Sequence, residues 1–427
     1  MGMKERIMKK VTVTEEVLLK GSYDVLVAGG GVAGVAAAVA AARRGKRVLL
    51  LEKTVALGGL ATIGLINLFV PMCNGRGTQI IKGMAEEFLR LSIKYGWDTI
   101  PDEWKNGDPG EGAKTRYVCK YSAPIFSMLM TNLLKEEGVD ILFDSVVSKP
   151  IMKDGHCEGV IVDSKGGRDY FEAKVIVDTT GDADIMYRAG VPCRDGKNYY
   201  TYLMFGVTMN SMKKAIETGD VANAYAGFSG GGINLHGTNQ PSDVPLYKGT
   251  TADEITDYLV RNHKDAIEKI KNQDRKSRDI MQMPAMCQFR ETRCIIGDAT
   301  LTGDETYLHS DTSIGAMGDF EIKDRLYEIP YGTLVKSGFD NLITAGRTAS
   351  ATGWGWDCLR VIPPAIITGQ AAGEASVIAI DSGVPIAEVD ISLLQKRLSE
   401  GNVMIHFDDA LIPKDKSKEE EFKFGHL

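Results

Sequence analysis

The sequence predicts an α/β fold: a central parallel sheet built from discontinuous segments, with a mixed α+β domain inserted between them. Three observations predict it. Residues 23–53, YDVLVAGGGVAGVAAAVAAARRGKRVLLLEK, read as strand, glycine turn, helix and strand. The step from a buried apolar strand into a glycine turn recurs at AKVIVDTTGDAD (173–184) and DNLITAGRTAS (340–350). The 47 glycines also exceed the ~30 that the usual ~7% gives at this length. Such an excess asks where the backbone needs close approach.

Taken in order, Val25 to Ala28 is an unbroken apolar run, the mark of a strand buried on both faces. Gly29, Gly30 and Gly31 make the turn. Ala33 to Ala42 is an alanine-rich helix that Gly45 stops, and Val48 to Leu51 is a second strand ending at Glu52. Residues 22–75 therefore form the first part of a nucleotide domain. Residues 76–136 carry helical patterns, GMAEEFLRLSIKYG and APIFSMLMTNLLKEEG, around a polar loop with Trp97 and Trp104. The domain resumes over 137–195 and again over 331–385, where PAIITGQAAGEASVIAI reads as a helix of small residues. Between them, 196–330 is a substrate or cap domain. It holds β-like runs (YYTYLMFGVTM, FRETRCIIGDATL), a charged helix near 252–275 and the loop GFSGGGINLHG, expected to move over a pocket. Residues 386–427 are expected as a tail, solvated over PKDKSKEEEFKFGHL.

Composition narrows the function. With 50 Lys+Arg against 57 Asp+Glu, the net charge of −7 offers no basic field for a phosphate backbone, so nucleic acid is not an expected partner. The seven cysteines include no C-x-x-C pair, which argues against a structural zinc, a ligated iron–sulfur cluster or a dithiol; no metal is expected. They read as small buried hydrophobes in a reducing compartment. Glu15, Glu16 and Lys20 interrupt the N-terminal segment, and no stretch is apolar enough to span a bilayer. A cytoplasmic protein without membrane insertion is the expectation, and a homo-oligomer is allowed.

Gly29-x-Gly31-x-x-Gly34 follows a strand and opens a helix, the context that gives this motif its meaning. Gly29 permits the tight turn, Gly31 lets backbone approach a pyrophosphate, and Gly34 lets helix pack on strand. The helix N-terminus at Val32 and Ala33 offers N–H groups to the phosphates. Glu52 ends the second strand, where a carboxylate accepts hydrogen bonds from ribose hydroxyls and repels a 2′-phosphate. This is a Rossmann-like dinucleotide site. The motif alone does not separate NAD from FAD.

Four motifs go further: GGGVAG with Glu52, LGGLATIG (57–64), VDTTGDAD (177–184), and NLITAGRTAS (341–350) followed by GQAAGEAS (369–376). Through them the chain resembles the FAD-dependent oxidoreductases with a glutathione-reductase-like flavin domain, in the branch akin to fumarate reductase and succinate dehydrogenase flavoproteins. The motifs touch residues 23–64, 173–190 and 285–380. The resemblance implies noncovalent FAD, since no covalent flavin-histidine motif is present. It implies cofactor contacts from Lys53, from Gly58, Gly59, Leu60, Ala61 and Thr62 along the pyrophosphate, and from Val147. Thr180, Gly181 and Asp182 match the strand-ending turn, although Thr179-Thr180 stands where Ala-Thr is usual. Gly346 and Arg347 match a third contact. A helix beginning near Gly369-Gln370 would aim its N-terminus at the flavin's pyrimidine edge, where reduced flavin carries negative charge, with Gly369 and Ala371 as contacts.

Two polar clusters are candidates for the chemistry. In Phe289-Arg290-Glu291-Thr292-Arg293, strand alternation would place Arg290 and Arg293 on opposite faces, and Arg293 is the preferred substrate ligand. In Gly353-Trp354-Gly355-Trp356-Asp357-Cys358-Leu359-Arg360, Arg360 matches a family arginine that would bind an anionic group, Asp357 is a candidate base and the tryptophans a stacking wall. The family's D-x-H pattern is missing from GAMGDFEIKD, which leaves His309, or His236, as proton donor.

The expected function is hydride transfer between flavin and a small polar or anionic metabolite. The alternative is an electron-carrier flavoprotein whose inserted domain docks a partner protein. The negative charge weighs against a third reading, an RNA-modifying flavoenzyme.

Overall fold

Val25, Leu26, Val27 and Ala28 are completely buried, as an apolar run in a parallel sheet requires. They close strand β1 (Leu18–Ala28) of a seven-stranded sheet seen in a computed structural model, which describes residues 11–232 and 236–416. The glycine turn leads into helix α1 (Val32–Arg43) and back to β2 (Val48–Leu51). Helices α2 (Met84–Ile93) and α3 (Ala123–Glu136) follow, then β3 (Asp140–Leu142), β4 (Val146–Lys153), β5 (His156–Ser164) and β6 (Gly167–Asp178). The last strand, β7 (Leu342–Thr344), returns from far along the chain. The order is β3-β2-β1-β6-β5-β4, with β7 also on β6. β1, β2, β3, β6 and β7 pair in parallel, while β4, β5 and β6 form an antiparallel meander.

Helix α4 (Ile362–Ser382) follows β7 and is enclosed on all sides, with every residue from Ile362 to Ala379 buried. Such a helix belongs inside the molecule. It starts seven residues before the expected Gly369. Pro363 and Pro364 are tolerated there because first-turn N–H groups have no helical partner to lose.

The stretch 226–232, expected as a loop, is a strand. It pairs antiparallel with Tyr202–Thr208, which pairs in turn with Arg278–Gln282. Gly230 fits because other backbone comes close: a Cβ on it would lie 2.6 Å from the Asn262 carbonyl oxygen. The rest of the expected loop, 233–235, lies outside the described residues. Helix Ala252–Ile270 covers this sheet over a core of Tyr200, Tyr202, Met204, Tyr247, Tyr258 and Phe289.

The expected tail also differs. Helix Ile391–Glu400 buries Leu394 and Leu398 completely, and Val403, Ile405 and Phe407 are buried after it. Each such side chain contributes roughly 1.5–3 kcal/mol, enough to fix a segment whose charges suggested solvent. Residues 417–427 lie outside the described residues. Of the cysteines, Cys73, Cys119, Cys157, Cys294 and Cys358 are buried and Cys193 and Cys287 partly so. Burial pushes Cys119, Cys157 and Cys294 up to about 11, away from reactive thiolates.

Candidate functional site

Two glycine loops meet at the C-terminal ends of β1 and β2. Gly29 has φ 110°, and a Cβ on it would sit 2.4 Å from the Thr179 carbonyl oxygen. One on Gly34 would sit 1.9 Å from the Gly29 carbonyl oxygen. Both are glycine because the fold leaves no room. Gly31 is different. Its φ of −64° and ψ of 172° suit any residue, and a Cβ there would meet nothing within 4 Å. The Gly58 N–H donates to the Gly30 carbonyl (2.8 Å), laying the 57–64 loop against the glycine turn.

Glu52 is buried at this junction. Its Oε2 accepts from the Gly30 N–H (2.7 Å), and its Oε1 from the Thr54 N–H (2.8 Å) and hydroxyl (2.7 Å). A carboxylate has about four acceptor sites, so capacity remains for a hydroxyl. Along the second loop, Gly59, Leu60 and Ala61 form a tight turn, and the Ala61 carbonyl accepts from Tyr121 (2.9 Å). The Thr62 hydroxyl, expected to face the cofactor, donates instead to the Leu57 carbonyl (2.5 Å) and closes its own loop. Val147 is buried in β4, with its carbonyl accepting from Arg188 (2.9 Å).

The turn after β6 is held from within. Asp178 is fully buried and accepts from the Thr180 N–H and hydroxyl and from the N–H groups of Ile185 and Met186. Burial pushes it up to about 6 against those hydrogen bonds. Asp182 pairs with Arg347 (2.7 Å), accepts from the Thr292 hydroxyl (2.8 Å) and lies 3.7 Å from Lys53. Burial opposes its charge, but Arg347 and Lys53 outweigh it and hold the carboxyl below its ordinary value. Arg347 also donates to the carbonyls of Gly181 and Phe289. The side chains of Arg347, Asp182 and Lys53, expected on the cofactor, thus join three segments to one another, leaving backbone for contact. Gly346 lies against Ala33, with a Cβ 3.1 Å from that side chain.

Gly369 and Ala371 do not stand at a helix N-terminus. Ala371 is completely buried inside α4, and a Cβ on Gly369 would lie 2.2 Å from the Ala33 carbonyl oxygen. Their small size serves helix packing on α1. The N-terminus of α4 lies instead at Ile362, after Val361.

The catalytic candidates separate. Arg293 is buried over the Tyr187 ring (3.9 Å), between Asp184 and Asp195 (both 3.8 Å), and donates to the Asp182 carbonyl. Its burial among these groups, with Nε left without a hydrogen-bond partner among the described residues, argues against it as the preferred substrate ligand. Residues 289–292 are not a strand; the strand begins at Arg293, so alternation does not govern Arg290. Asn198, which sequence reasoning missed, shapes the corner: its Oδ1 accepts from the N–H groups of Arg290 (2.6 Å) and Glu291 (3.0 Å).

Arg290 and Glu291 lie close enough to Asp357 and Arg360 to feel their charges. Arg360 donates to Asp357 Oδ1 (3.1 Å from Nε), so Asp357 is a carboxylate partner rather than an unengaged base. Burial, then the Arg360 charge, lowers Arg290 to about 10. Burial, then Asp357, raises Glu291 to about 7, against the pull of Arg360 and Arg290. A carboxyl poised near neutrality under the charges of Asp357, Arg360 and Arg290 can hold or give a proton. Nearby, His236 pairs with Glu321 (3.0 Å) and stacks on Trp354 (6.0 Å between centroids). Trp354 donates to buried Asp319 (2.6 Å), and Trp356 to the Arg347 carbonyl (2.8 Å). A cavity of about 410 Å³ shares only Trp354 with this group.

His309 lies elsewhere, bound to Glu328 (2.6 Å) and Asp409 (2.9 Å) and stacked on Phe407. None of these partners belongs to the glycine loops or the arginine corner, so His309 is removed as proton donor. Sequence could not see this, because its partners stand 19 and 100 positions away.

The loops fit a dinucleotide cofactor on one observation above others: Gly31 is open where the fold itself requires no glycine. Beside it, the start of α1 has no side-chain cap, leaving first-turn N–H groups for an anion.

A family model described as FAD dependent oxidoreductase matches residues 24–224 and 232–398. The chain is 26% identical over 201 residues to the digeranylgeranylglycerophospholipid reductase of Methanoculleus marisnigri, covering 45% of this chain and 48% of that protein. It is 32% identical over 165 residues to the tRNA uridine 5-carboxymethylaminomethyl modification enzyme MnmG of Bacillus subtilis, covering 38% and 24%. The matches therefore span about half or less of these curated relatives. Among solved structures, a geranylgeranyl bacteriochlorophyll reductase-like protein from Thermoplasma acidophilum aligns with a TM-score of 0.41 and 15% identity, over 92% of this chain and 94% of that one.

Proposed function

Because the chain belongs to the FAD dependent oxidoreductase family, we propose that it exchanges a hydride between a noncovalently held flavin and a small polar or anionic metabolite. The observation that carries the substrate class is the corner of Arg290, Glu291, Asp357 and Arg360. When bound, FAD supplies the two-electron hydride chemistry. Gly31, the start of α1 and Glu52 hold its pyrophosphate and ribose. Arg290 and Arg360 bind an anionic group of the substrate, and Asp357 positions Arg360. Glu291, near neutrality, takes or returns the substrate proton.

The test is anaerobic bleaching of the flavin by a panel of hydroxy acids, sugars and unsaturated acids. Bleaching by an anionic member, slowed by Arg360→Ala without loss of FAD, supports the reading. Bleaching by a protein donor alone, with every small molecule inert, would replace it with the electron carrier.

A further inference from the structure

His309, Glu328 and His406 come from three separate parts of the chain and meet at one point. Glu328 sits on the hairpin strand Leu326–Pro330 with a fully buried side chain. Its Oε1 lies 2.6 Å from His309 Nδ1 and its Oε2 lies 3.0 Å from His406 Nδ1. The Ser310 N–H donates to Oε2 (2.7 Å) and fixes the carboxylate plane. One nitrogen from each imidazole and one carboxylate oxygen all fall within 4.8 Å of one another.

The outer nitrogen of His309 decides what fits. Asp409 Oδ1 lies 2.9 Å from Nε2. A carboxylate only accepts, so it fixes the proton on Nε2. In neutral His309 the inner Nδ1 then turns a lone pair on the Glu328 oxygen, which also only accepts. At 2.6 Å that contact holds a second proton, and a metal ion on Nδ1 would take this proton's place. Carboxylate on one imidazole nitrogen and metal on the other is the usual arrangement of a metal-bound histidine.

We propose that His309, Glu328 and His406 bind a divalent transition ion of the zinc type, with Asp409 orienting His309. Two imidazoles and a carboxylate suit such an ion, and a fourth position remains for water. Ligands on tetrahedral zinc stand ~3.3 Å apart, so the His309 contact must open slightly. Its ring is 42% exposed and that of His406 46%, which leaves both free to move. The ion would tie the segment after helix Ile391–Glu400 to the hairpin. The site is separate from the flavin loops and does not rest on the substrate reading.

The flavin-loaded full chain, stripped with EDTA, is titrated with Co²⁺ and then Zn²⁺. The expected result is one Co²⁺ per chain with the visible bands of a four-coordinate ion, displaced by Zn²⁺. His309→Asn and His406→Asn should each weaken Zn²⁺ binding at least ~10-fold, and Asp409→Asn by a similar factor, with flavin content unchanged. Both side chains are half-exposed, and an unchanged melting curve of each variant shows that the fold is kept. Absence of saturable Co²⁺ binding, or binding indifferent to both histidine variants, overturns the proposal.

Discussion

Gly369 on α4 presses against Ala33 at the start of α1, so that a Cβ on the glycine would lie 2.2 Å from the Ala33 carbonyl oxygen. That approach also brings Gly346 against the same alanine. Three motifs remote in sequence are thereby locked around one helix N-terminus. Gly369→Val must push the two helices apart, and overpacking of this kind costs at least about 2 kcal/mol. Urea unfolding of the apoprotein should show that loss. An unchanged midpoint would mean the helices do not pack as described.

The Arg347–Asp182 pair should be measurable as an acid-dependent stability. Asp182 is held below its ordinary value, so its contribution is present above the unfolded carboxyl range near ~4. It fades as pH falls through the folded value. Arg347→Met should cost about 2–3 kcal/mol at pH 7 and flatten the acid limb of the stability curve. Denaturant midpoints from pH 7 down to pH 3 in both proteins check this.

Much of this framework was legible in sequence because it rests on local rules. The glycine turn of 29–34, the apolar run before it and Glu52 after it need only a strand, a tight turn and a helix. Positions set by distant partners were not legible. Arg293 and Arg290 look alike in FRETR, and only Asp184, Asp195 and Tyr187, distant in sequence, show what Arg293 packs against. Asn198 carries no signal at all, yet it shapes the corner that holds Arg290 and Glu291. Gly369 was visible as a small residue, but its reason, the face of α1, lies more than three hundred positions away.

Glu291 should impose a pH dependence on both turnover and stability. With its folded value near 7 and its unfolded value near ~4.3, ionisation is opposed in the native state. Stability should be greatest below the unfolded value and decline as pH rises through about 7. Glu291→Gln should remove that decline. It should also remove a limb near pH 7 from the kcat/KM profile of whichever substrate bleaches the flavin. A profile that keeps the limb would transfer the proton to another group.

The two arginines of FRETR should behave differently. Arg290→Ala is expected to lower kcat/KM about 100-fold, the loss of a charge-assisted contact worth about 2–3 kcal/mol, with FAD retained. Arg293→Ala should leave KM within about twofold and instead lower the unfolding midpoint, because it removes the packing over Tyr187 and the hydrogen bond to the Asp182 carbonyl. The reverse pattern would restore Arg293 to the substrate.

Gly31 offers the most direct test of the central claim, that the glycine loops exist to hold FAD. Its backbone suits any residue and nothing lies within 4 Å of a Cβ, so Gly31→Val should cost the apoprotein under about 1 kcal/mol. The measurement is the flavin-to-protein absorbance ratio after FAD reconstitution, read beside the apoprotein melting curve. A ratio reduced at least tenfold with a nearly unchanged melt is the expected result. Wild-type flavin content in the Gly31→Val protein would contradict the account.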